Sequence, residues 1–249
     1  YFSGLSVLLM PLVIVLLAFT LAQGTVIEGA NASRWIYIPF IGVGFQSSTL
    51  AVLVLMMFVA RYLSRHKDKP ITFKESFLYL WLPVGIVLML ILPANFSTAA
   101  IAFATILLLT FIGGYPIKFI LYILGAALLV FTLFILLAKA LPDLMENTRV
   151  ETWNKRIENF ISGDSEDNYQ SEKAKIAIAS GEVNGKGPGK SVQKNFLPQS
   201  SSDFIYAIIV EEFGLIGGIV IIFLYLGLLV RIVIITTKTN TIFGALLTV

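Results

Sequence analysis

Asp164, Glu166 and Asp167 place three carboxylates within four positions of one polar segment. Like charges this close raise the pKa of at least one of the three groups, which suits a general base that must take up a proton. Closely spaced carboxylates also suit a divalent cation such as Mg²⁺ or Mn²⁺, although the segment does not define a metal site. Gly163 and Asn168 favour turns, so a solvated acidic turn is the alternative interpretation.

A glycine-rich segment follows at Gly185-Lys-Gly-Pro-Gly-Lys-Ser191. Such a turn lets backbone N–H groups, together with Lys186 and Lys190, approach an anion such as pyrophosphate. The segment is not a nucleotide-binding P-loop, because that pattern requires glycine where this chain has Asn184. A flexible turn without a ligand is the alternative.

Three further acids, Asp203, Glu211 and Glu212, lie at the entry to an apolar run. Asp203 follows three serines and is a candidate cap for the start of a helix. Glu211 and Glu212 lie about two helical turns further on, beside apolar residues. Ionisable groups at membrane depth usually face the bundle interior or a watery cavity. The alternative is that both glutamates lie near the lipid headgroups.

The composition indicates which kind of scaffold positions these groups. Apolar residues make up 57% of the 249-residue chain and charged residues only 13%, with a mean hydropathy of +0.87. A soluble domain carries about 25% charged residues, so a lipid environment is the simpler interpretation. There is no cysteine and one histidine, His66, which excludes disulfides, thiolate chemistry and a His-rich metal site. The net charge of +3, without a basic tract interleaved with aromatics, argues against a nucleic-acid partner.

Six apolar runs are long enough to cross a membrane as helices, which takes about 20 residues each. They are 4–22, 45–63, 76–93, 97–113, 116–140 and 213–236, and a shorter run occupies 242–249. The predicted fold is therefore all-α, a polytopic transmembrane bundle of about six full spans and a partial one. We divide it into five spans (1–140), a large loop (141–202), and a span with the start of the next (203–249). We expect the chain to be the middle of a longer protein.

Charge predicts the orientation of these spans, because short cytoplasmic loops are rich in Lys and Arg. The strongest basic cluster in a short connection is 61–69, which we place inside. The turn 93–97 then lies outside, Lys118 inside, and the long segment 141–202 outside. Arg231 and Lys238 return to the inside. The orientation indicated by the basic residues therefore agrees with the alternating direction of successive helices.

Segment 141–202 holds 17 of the chain's 33 charged residues and is too long for an ordinary connection. Apolar residues at 150, 153, 157 and 160 form one helical face, which predicts an amphipathic helix at the membrane surface. A second helix is predicted for 169–180. The carboxylates lie between these helices, in an outward-facing loop.

Three stretches in and after this loop resemble one family closely. They are Tyr169-Gln170, Gly187-Pro-Gly-Lys-Ser-Val-Gln-Lys-Asn-Phe-Leu-Pro198 and Ser202-Asp-Phe-Ile-Tyr-Ala-Ile-Ile-Val-Glu-Glu-Phe-Gly-Leu-Ile-Gly-Gly218. They resemble the SEDS family of bacterial cell-wall synthases, to which FtsW, RodA and SpoVE proteins belong. The stretches 31–35 and 156–160 are similar to two further motifs of that family, and 191–194 resembles its division branch more than its elongation branch.

The resemblance implies a ten-helix glycosyltransferase of the bacterial cytoplasmic membrane, working at the division septum. Such a protein polymerises lipid II on the outer face of the membrane. Its partners would be a class B penicillin-binding protein, which crosslinks the strands, and other division proteins. The family's essential aspartate precedes Tyr-Gln, so Asp167 is the best match for the catalytic base, with Glu166 and Asp164 as alternatives.

The resemblance also assigns substrate-binding positions, including basic residues to stabilise the pyrophosphate leaving group. These are Arg34, Arg156, Tyr169, Gln170, Lys186, Gly187, Gly189, Ser191, Gln193, Lys194, Pro198, Asp203, Glu211 and Glu212. A divalent cation is a further candidate for stabilising that group. The chain departs from the family at 46–49 and 92–98, where it lacks a glutamate and an aspartate that family members carry.

Two other functions remain open at this stage. A lipid II transporter would need an inward-open cavity and polar groups at the bilayer midplane, and this sequence has few such groups. A scaffold that only recruits a transpeptidase through its helices would not need the loop acids at all.

Overall fold

The computed structural model describes residues 2–23, 35–38, 43–67, 69–140, 166–197 and 200–248. The helices in these ranges are α1 (Phe2–Gln23), α2 (Ser47–His66), α3 (Phe73–Ile91), α4 (Phe96–Ile112), α5 (Ile117–Ala140), α6 (Glu166–Gly181), α7 (Ile205–Lys238) and α8 (Ile242–Thr248). The predicted spans correspond to α1–α5 and α7. Five of these helices are long and apolar enough to cross a membrane, and α4 is a shorter apolar helix.

The chain forms two compact units, Tyr1–Leu137 with Val233–Val249, and Ala138–Ile232. The first unit contains α1–α5 and α8. Its core is apolar and comes mainly from α1, α2 and α3, with contributions from α4, α5 and α8. The second unit contains α6 and most of α7, and it carries the predicted site.

Tyr115, in the connection between α4 and α5, contacts α3 at one end of the first unit. Its hydroxyl lies 2.6 Å from the Ser76 hydroxyl and accepts a hydrogen bond from Trp81 Nε1 at 3.1 Å. The Arg61 guanidinium, near the end of α2, donates to the Ser3 carbonyl at the start of α1. The starts of α1, α3 and α5 therefore lie at the same end as the end of α2.

The opposite end of α1 and α2 is closed by a second polar contact. The Thr20 hydroxyl donates to the Ser47 hydroxyl at 2.9 Å, and both side chains are buried. Successive helices thus alternate in direction, and the basic residues after α2 lie at the same end as the connection before Lys118. This arrangement agrees with the parity predicted from charge. The predicted turn before α4 is also present, with the Asn95 side chain accepting from Thr98 N–H at 3.2 Å.

Two features of the first unit were not predicted. Trp35–Ile38 and Val43–Gln46 form an antiparallel hairpin with Trp35 opposite Gln46, just before α2. Within α3, Phe77–Trp81 adopts π-helical geometry and ends two residues before Pro83. Proline has no N–H to continue the regular ladder, and a π-bulge is one way for a helix to accommodate that loss. Apart from this short hairpin, the regular structure of the described residues is helical, so the fold is all-α as predicted.

In the second unit, α6 is followed by a glycine-rich turn, a 3₁₀ turn at Gln193–Asn195, and α7. Helix α7 has 34 residues, which corresponds to about 51 Å at 1.5 Å per residue. A bilayer's hydrocarbon core is about 30 Å thick. Gly214 has φ 69° and ψ −171°, so it breaks α7 into a nine-residue first part and a longer apolar second part. The 24 residues after the break correspond to about 36 Å, enough to span the membrane.

Candidate functional site

The break in α7 is filled by the segment that follows α6. In a continuous helix, the N–H groups of Leu215 and Ile216 would donate to the carbonyls of Glu211 and Glu212. Instead, Leu215 N donates to Glu182 O at 2.9 Å and Ile216 N donates to the Val183 carbonyl at 3.5 Å. The freed α7 carbonyls also find partners in the loop.

The same segment supplies donors for these two carbonyls. Lys186 N donates to Glu211 O, and Gly187 N donates to Glu212 O, both at 2.9 Å. Residues 182–187 therefore replace two hydrogen bonds inside α7 by four hydrogen bonds to it. A broken helix in a membrane protein needs such partners, because unpaired backbone groups are costly there.

Glycine is required where the two backbones meet. A Cβ atom at Gly181 would overlap the Val210 carbonyl oxygen, and one at Gly185 would overlap the Glu212 carbonyl oxygen. A Cβ at Gly214 would overlap the Val183 carbonyl oxygen. Gly185 and Gly214 also have φ of +77° and +69°, in the region that favours glycine.

The Glu211 side chain lies behind this junction and is completely buried, with 0% of its surface exposed. Its Oε1 accepts from Lys186 Nζ at 2.6 Å and from Val192 N at 3.2 Å. Its Oε2 accepts from the Ser191 hydroxyl at 2.5 Å and from Gln193 N at 3.2 Å. The Ser180 hydroxyl is a further donor, 3.4 Å from Oε1. Five donors therefore compensate the buried carboxylate, as a buried charge requires.

Two serines extend this cluster into the neighbouring elements. The Ser180 hydroxyl, at the end of α6, accepts from Lys186 Nζ at 2.9 Å. The Ser191 hydroxyl accepts from Lys194 N at 3.1 Å, which starts the turn after the glycine-rich segment. One carboxylate thus holds together α6, the glycine-rich turn, the 3₁₀ turn and α7.

The Glu211 carboxylate is closed off from solvent, because donors of α6 and of the loop enclose it. Glu212 is half-buried, and its contact with the loop is made by its backbone carbonyl. The substrate-binding roles of both residues stay predictions.

Donors of the glycine-rich turn that the sequence assigned to an anion already have partners within the protein. The backbone N–H groups of Lys186 and Gly187 donate to α7, and the Lys186 ammonium pairs with Glu211. Binding of an anion by these donors would require the turn to leave α7. Gly189 and Lys190 are exposed, as is Lys194, so these residues remain accessible to a ligand. Lys190 is therefore better placed than Lys186 for the anion contact that the sequence predicted for this turn.

The acids at the start of α6 differ from the predicted arrangement. The sequence suggested a turn over 163–168, but Glu166 and Asp167 belong to the first turn of α6. The helix therefore starts three residues earlier than the predicted 169–180.

Tyr169 and Gln170 follow on the same helix, Tyr169 exposed and Gln170 half-buried. The Lys173 ammonium lies 5.3 Å from the centre of the Tyr169 ring and 5.4 Å from that of Phe196. Both distances are within the range of a cation–π interaction. The segment after the 3₁₀ turn therefore contacts α6 near its acidic start.

Several predicted residues lie outside the described ranges. These are Arg34, Arg156, Asp164, Pro198 and the whole predicted amphipathic helix at 150–160. Asp203 is described and lies exposed in the turn before α7, which begins at Ile205. Within the described residues, no three potential His, Cys, Asp or Glu ligands come together. The Gln193 side-chain oxygen is buried and has no hydrogen-bond partner in these ranges.

The sequence matches the family described as "Cell cycle protein" (FtsW/RodA/SpoVE) over residues 2–249. Curated relatives are similar over most of the chain. A protein of Marinomonas mediterranea named "Probable peptidoglycan glycosyltransferase FtsW" is 32% identical over 238 residues, covering 92% of this chain and 54% of the relative. A protein of Allochromatium vinosum with the same name is 33% identical, covering 88% and 52%. The chain thus spans about half the length of the curated relatives it matches.

Solved structures share the fold at lower identity. One chain, from a structure described as "Structural coordination of polymerization and crosslinking by a peptidoglycan synthase complex", is 20% identical with a TM-score of 0.66. The match covers 99% of this chain and 66% of that one. A mutant of the rod shape determining protein RodA from Thermus thermophilus is also 20% identical, with a TM-score of 0.60 and coverage of 99% and 61%.

Proposed function

Because the chain belongs to the FtsW/RodA/SpoVE family of cell cycle proteins, we propose that this protein is a peptidoglycan glycosyltransferase that polymerises lipid II. The match along residues 2–249, with relatives named for this activity, is the observation that carries the proposal. The active site would lie on the outer face of the bacterial cytoplasmic membrane, at the septum. A class B penicillin-binding protein would be the crosslinking partner, alongside other division proteins.

The proposed reaction is glycosyl transfer with inversion. Asp167 accepts the proton of the acceptor sugar's 4-hydroxyl as that oxygen attacks the donor's anomeric carbon. The bond from that carbon to the pyrophosphate oxygen breaks, and polyprenyl pyrophosphate leaves. Asp167 is the best match for this role because the family's essential aspartate precedes Tyr-Gln, and Tyr169-Gln170 follow Asp167 here.

The pyrophosphate needs positive charge as it leaves. Lys190 and Lys194 are exposed in the turn beside the buried cluster, whereas Lys186 is already paired with Glu211. Arg34 and Arg156 are further candidates by family resemblance. The exposed apolar surface of α7 offers contacts for the polyprenyl tail.

A divalent cation is a second way to neutralise that charge. Carboxylate oxygens such as those of Glu166 and Asp167 are ligands that Mg²⁺ and Mn²⁺ prefer. When bound, the cation would stabilise negative charge on the leaving phosphate oxygens. Glycan synthesis measured after chelation and again after addition of each metal tests this part of the proposal.

The main test is glycan-chain formation from purified lipid II by the full-length protein with its partner. We expect Asp167→Asn to lower the rate by about 10² or more, the usual contribution of a general base. Glu172→Gln is the matched control, because Glu172 is an exposed acid on the same helix. Unchanged rates in Asp167→Asn, Glu166→Gln and Asp164→Asn together would refute the assignment of the base.

The break in α7 favours a second candidate, a lipid II transporter, because transporters often bind substrates at interrupted helices. Here the backbone groups at the break are occupied by residues 182–187, which argues for a fixed structural element. Movement of lipid II across liposome membranes without polymerisation would support the transporter. For a pure scaffold, neutralising the loop acids should leave cell division intact.

A further inference from the structure

We infer that Glu211 is a positioning residue, which holds the start of α6 in register for catalysis without touching substrate. This inference rests on the proposed function and extends it to a residue remote from the reacting atoms. Glu211 faces the end of α6, whereas Asp167 lies at the start of that helix. The 13 residues from Asp167 to Ser180 correspond to about 20 Å along the helix axis.

The link from Glu211 to the start of α6 begins with the hydrogen bonds that its carboxylate accepts from residues 191–193. Glu211 accepts from the Ser191 hydroxyl and from the N–H groups of Val192 and Gln193. These three consecutive residues therefore have fixed positions relative to α7. Because hydrogen bonds to charged groups are stronger than neutral ones, the carboxylate holds them more firmly than an amide would.

The second part of this link connects residues 191–193, which we call the anchor, to the start of α6. Residues 193–195 form the 3₁₀ turn, and Phe196 N donates to Gln193 O at 3.0 Å. The Phe196 ring lies against the Lys173 ammonium, which also contacts the Tyr169 ring. Tyr169 is two residues from Asp167 on the same helix. Backbone and side-chain contacts therefore connect Glu211 to Tyr169, two residues after Asp167 in the first turns of α6.

The other end of α6 is tied to the same carboxylate. Ser180 accepts from Lys186 Nζ, which is paired with Glu211. Gly181 lies so close to Val210 that a Cβ would overlap that residue's carbonyl. Helix α6 is thus attached at both ends to one buried charge. A shift of about 1 Å in a catalytic group can reduce a rate by about 100-fold, so this attachment matters for turnover.

The inference is tested with Glu211→Gln and Phe196→Leu in the full-length protein with its partner, using Glu172→Gln as control. We expect turnover at saturating lipid II to fall about 10- to 100-fold in Glu211→Gln. In Phe196→Leu it should fall about two- to fivefold, the equivalent of one exposed cation–π contact. KM for lipid II should stay unchanged in both. Phe196 is an exposed ring, so its variant should fold normally.

Hydrogen exchange of the same variants gives a readout that does not depend on activity. The amides of Val192 and Gln193 should exchange at least about tenfold faster in Glu211→Gln than in Glu172→Gln. If wild-type protein makes no glycan, the proposed function fails, and faster exchange still supports the anchor.

Two results would overturn the inference. One is exchange and turnover in Glu211→Gln that match the control. The other is a raised KM with unchanged turnover, which would mean that Glu211 binds substrate directly.

Discussion

Replacing Gly214 by alanine tests whether the loop holds α7 in its broken form. Gly214 has φ 69° and ψ −171°, a conformation that costs other residues about 1–3 kcal/mol. The new Cβ would also overlap the Val183 carbonyl oxygen, so residues 182–187 must move away from α7. We therefore expect the loop to lose its four backbone hydrogen bonds to the helix.

The size of the effect follows from these hydrogen bonds. If α7 becomes continuous, it regains two internal bonds, so the net loss is two bonds, or about 1–3 kcal/mol. Alanine is not strained in a continuous helix, so the expected destabilisation of the second unit is this loss of about 1–3 kcal/mol. The matched control is Gly227→Ala in the same helix, where a Cβ meets no atom within 4 Å. Alanine there should be neutral or stabilising by up to about 1 kcal/mol.

The assay is thermal unfolding of the full-length protein in detergent, combined with hydrogen exchange. Gly214→Ala should lower Tm, while Gly227→Ala should not. The amides of Lys186 and Gly187 should lose protection, whereas those of Leu215 and Ile216 should keep it, because they can bond within a continuous helix. Wild-type Tm and wild-type protection of the Lys186 and Gly187 amides in Gly214→Ala would refute this account.

Two further substitutions test the polar contacts of each unit by thermal unfolding. Lys186→Met leaves the Glu211 carboxylate without its cation and should cost about 2 kcal/mol, below the usual value for a buried pair because 34% of the lysine side chain is exposed. Lys190→Met, which changes an exposed lysine of the same turn, should cost under about 0.5 kcal/mol, and equal Tm values for the two would contradict the role of the pair. Tyr115→Phe removes the contacts to α3 and should cost about 1–2 kcal/mol, whereas Tyr122→Phe, exposed on α5, should have little effect.

The spans could be predicted from the sequence because hydropathy is a local property. Each predicted run corresponds to a helix, and turn chemistry at Asn95 and at 113–116 marked two connections correctly. The hairpin at 35–46 was missed, because its two strands have four residues each and one of them overlaps the predicted second span. Short apolar strands next to a long apolar helix give no separate periodicity.

The break in α7 could not be predicted from hydropathy, because Gly214 lies in an apolar sequence that reads as one helix. Its geometry depends on carbonyls and amides of residues 182–187, about 30 positions earlier in the chain. The available signal was the combination of a glycine after two acids with a glycine-rich turn upstream. The sequence singled out Glu211 and Lys186 separately, but nothing local indicated that they form a pair.

Residues 182–187 compete with α7 itself for the hydrogen-bonding groups at the break. The two N–H groups and two carbonyls of α7 at the break can be paired in two ways, either with each other or with residues 182–187. Neither arrangement leaves one of these groups unpaired. The free energy of the break is therefore a difference between two paired states of α7, to which both residues 182–187 and Gly214 contribute.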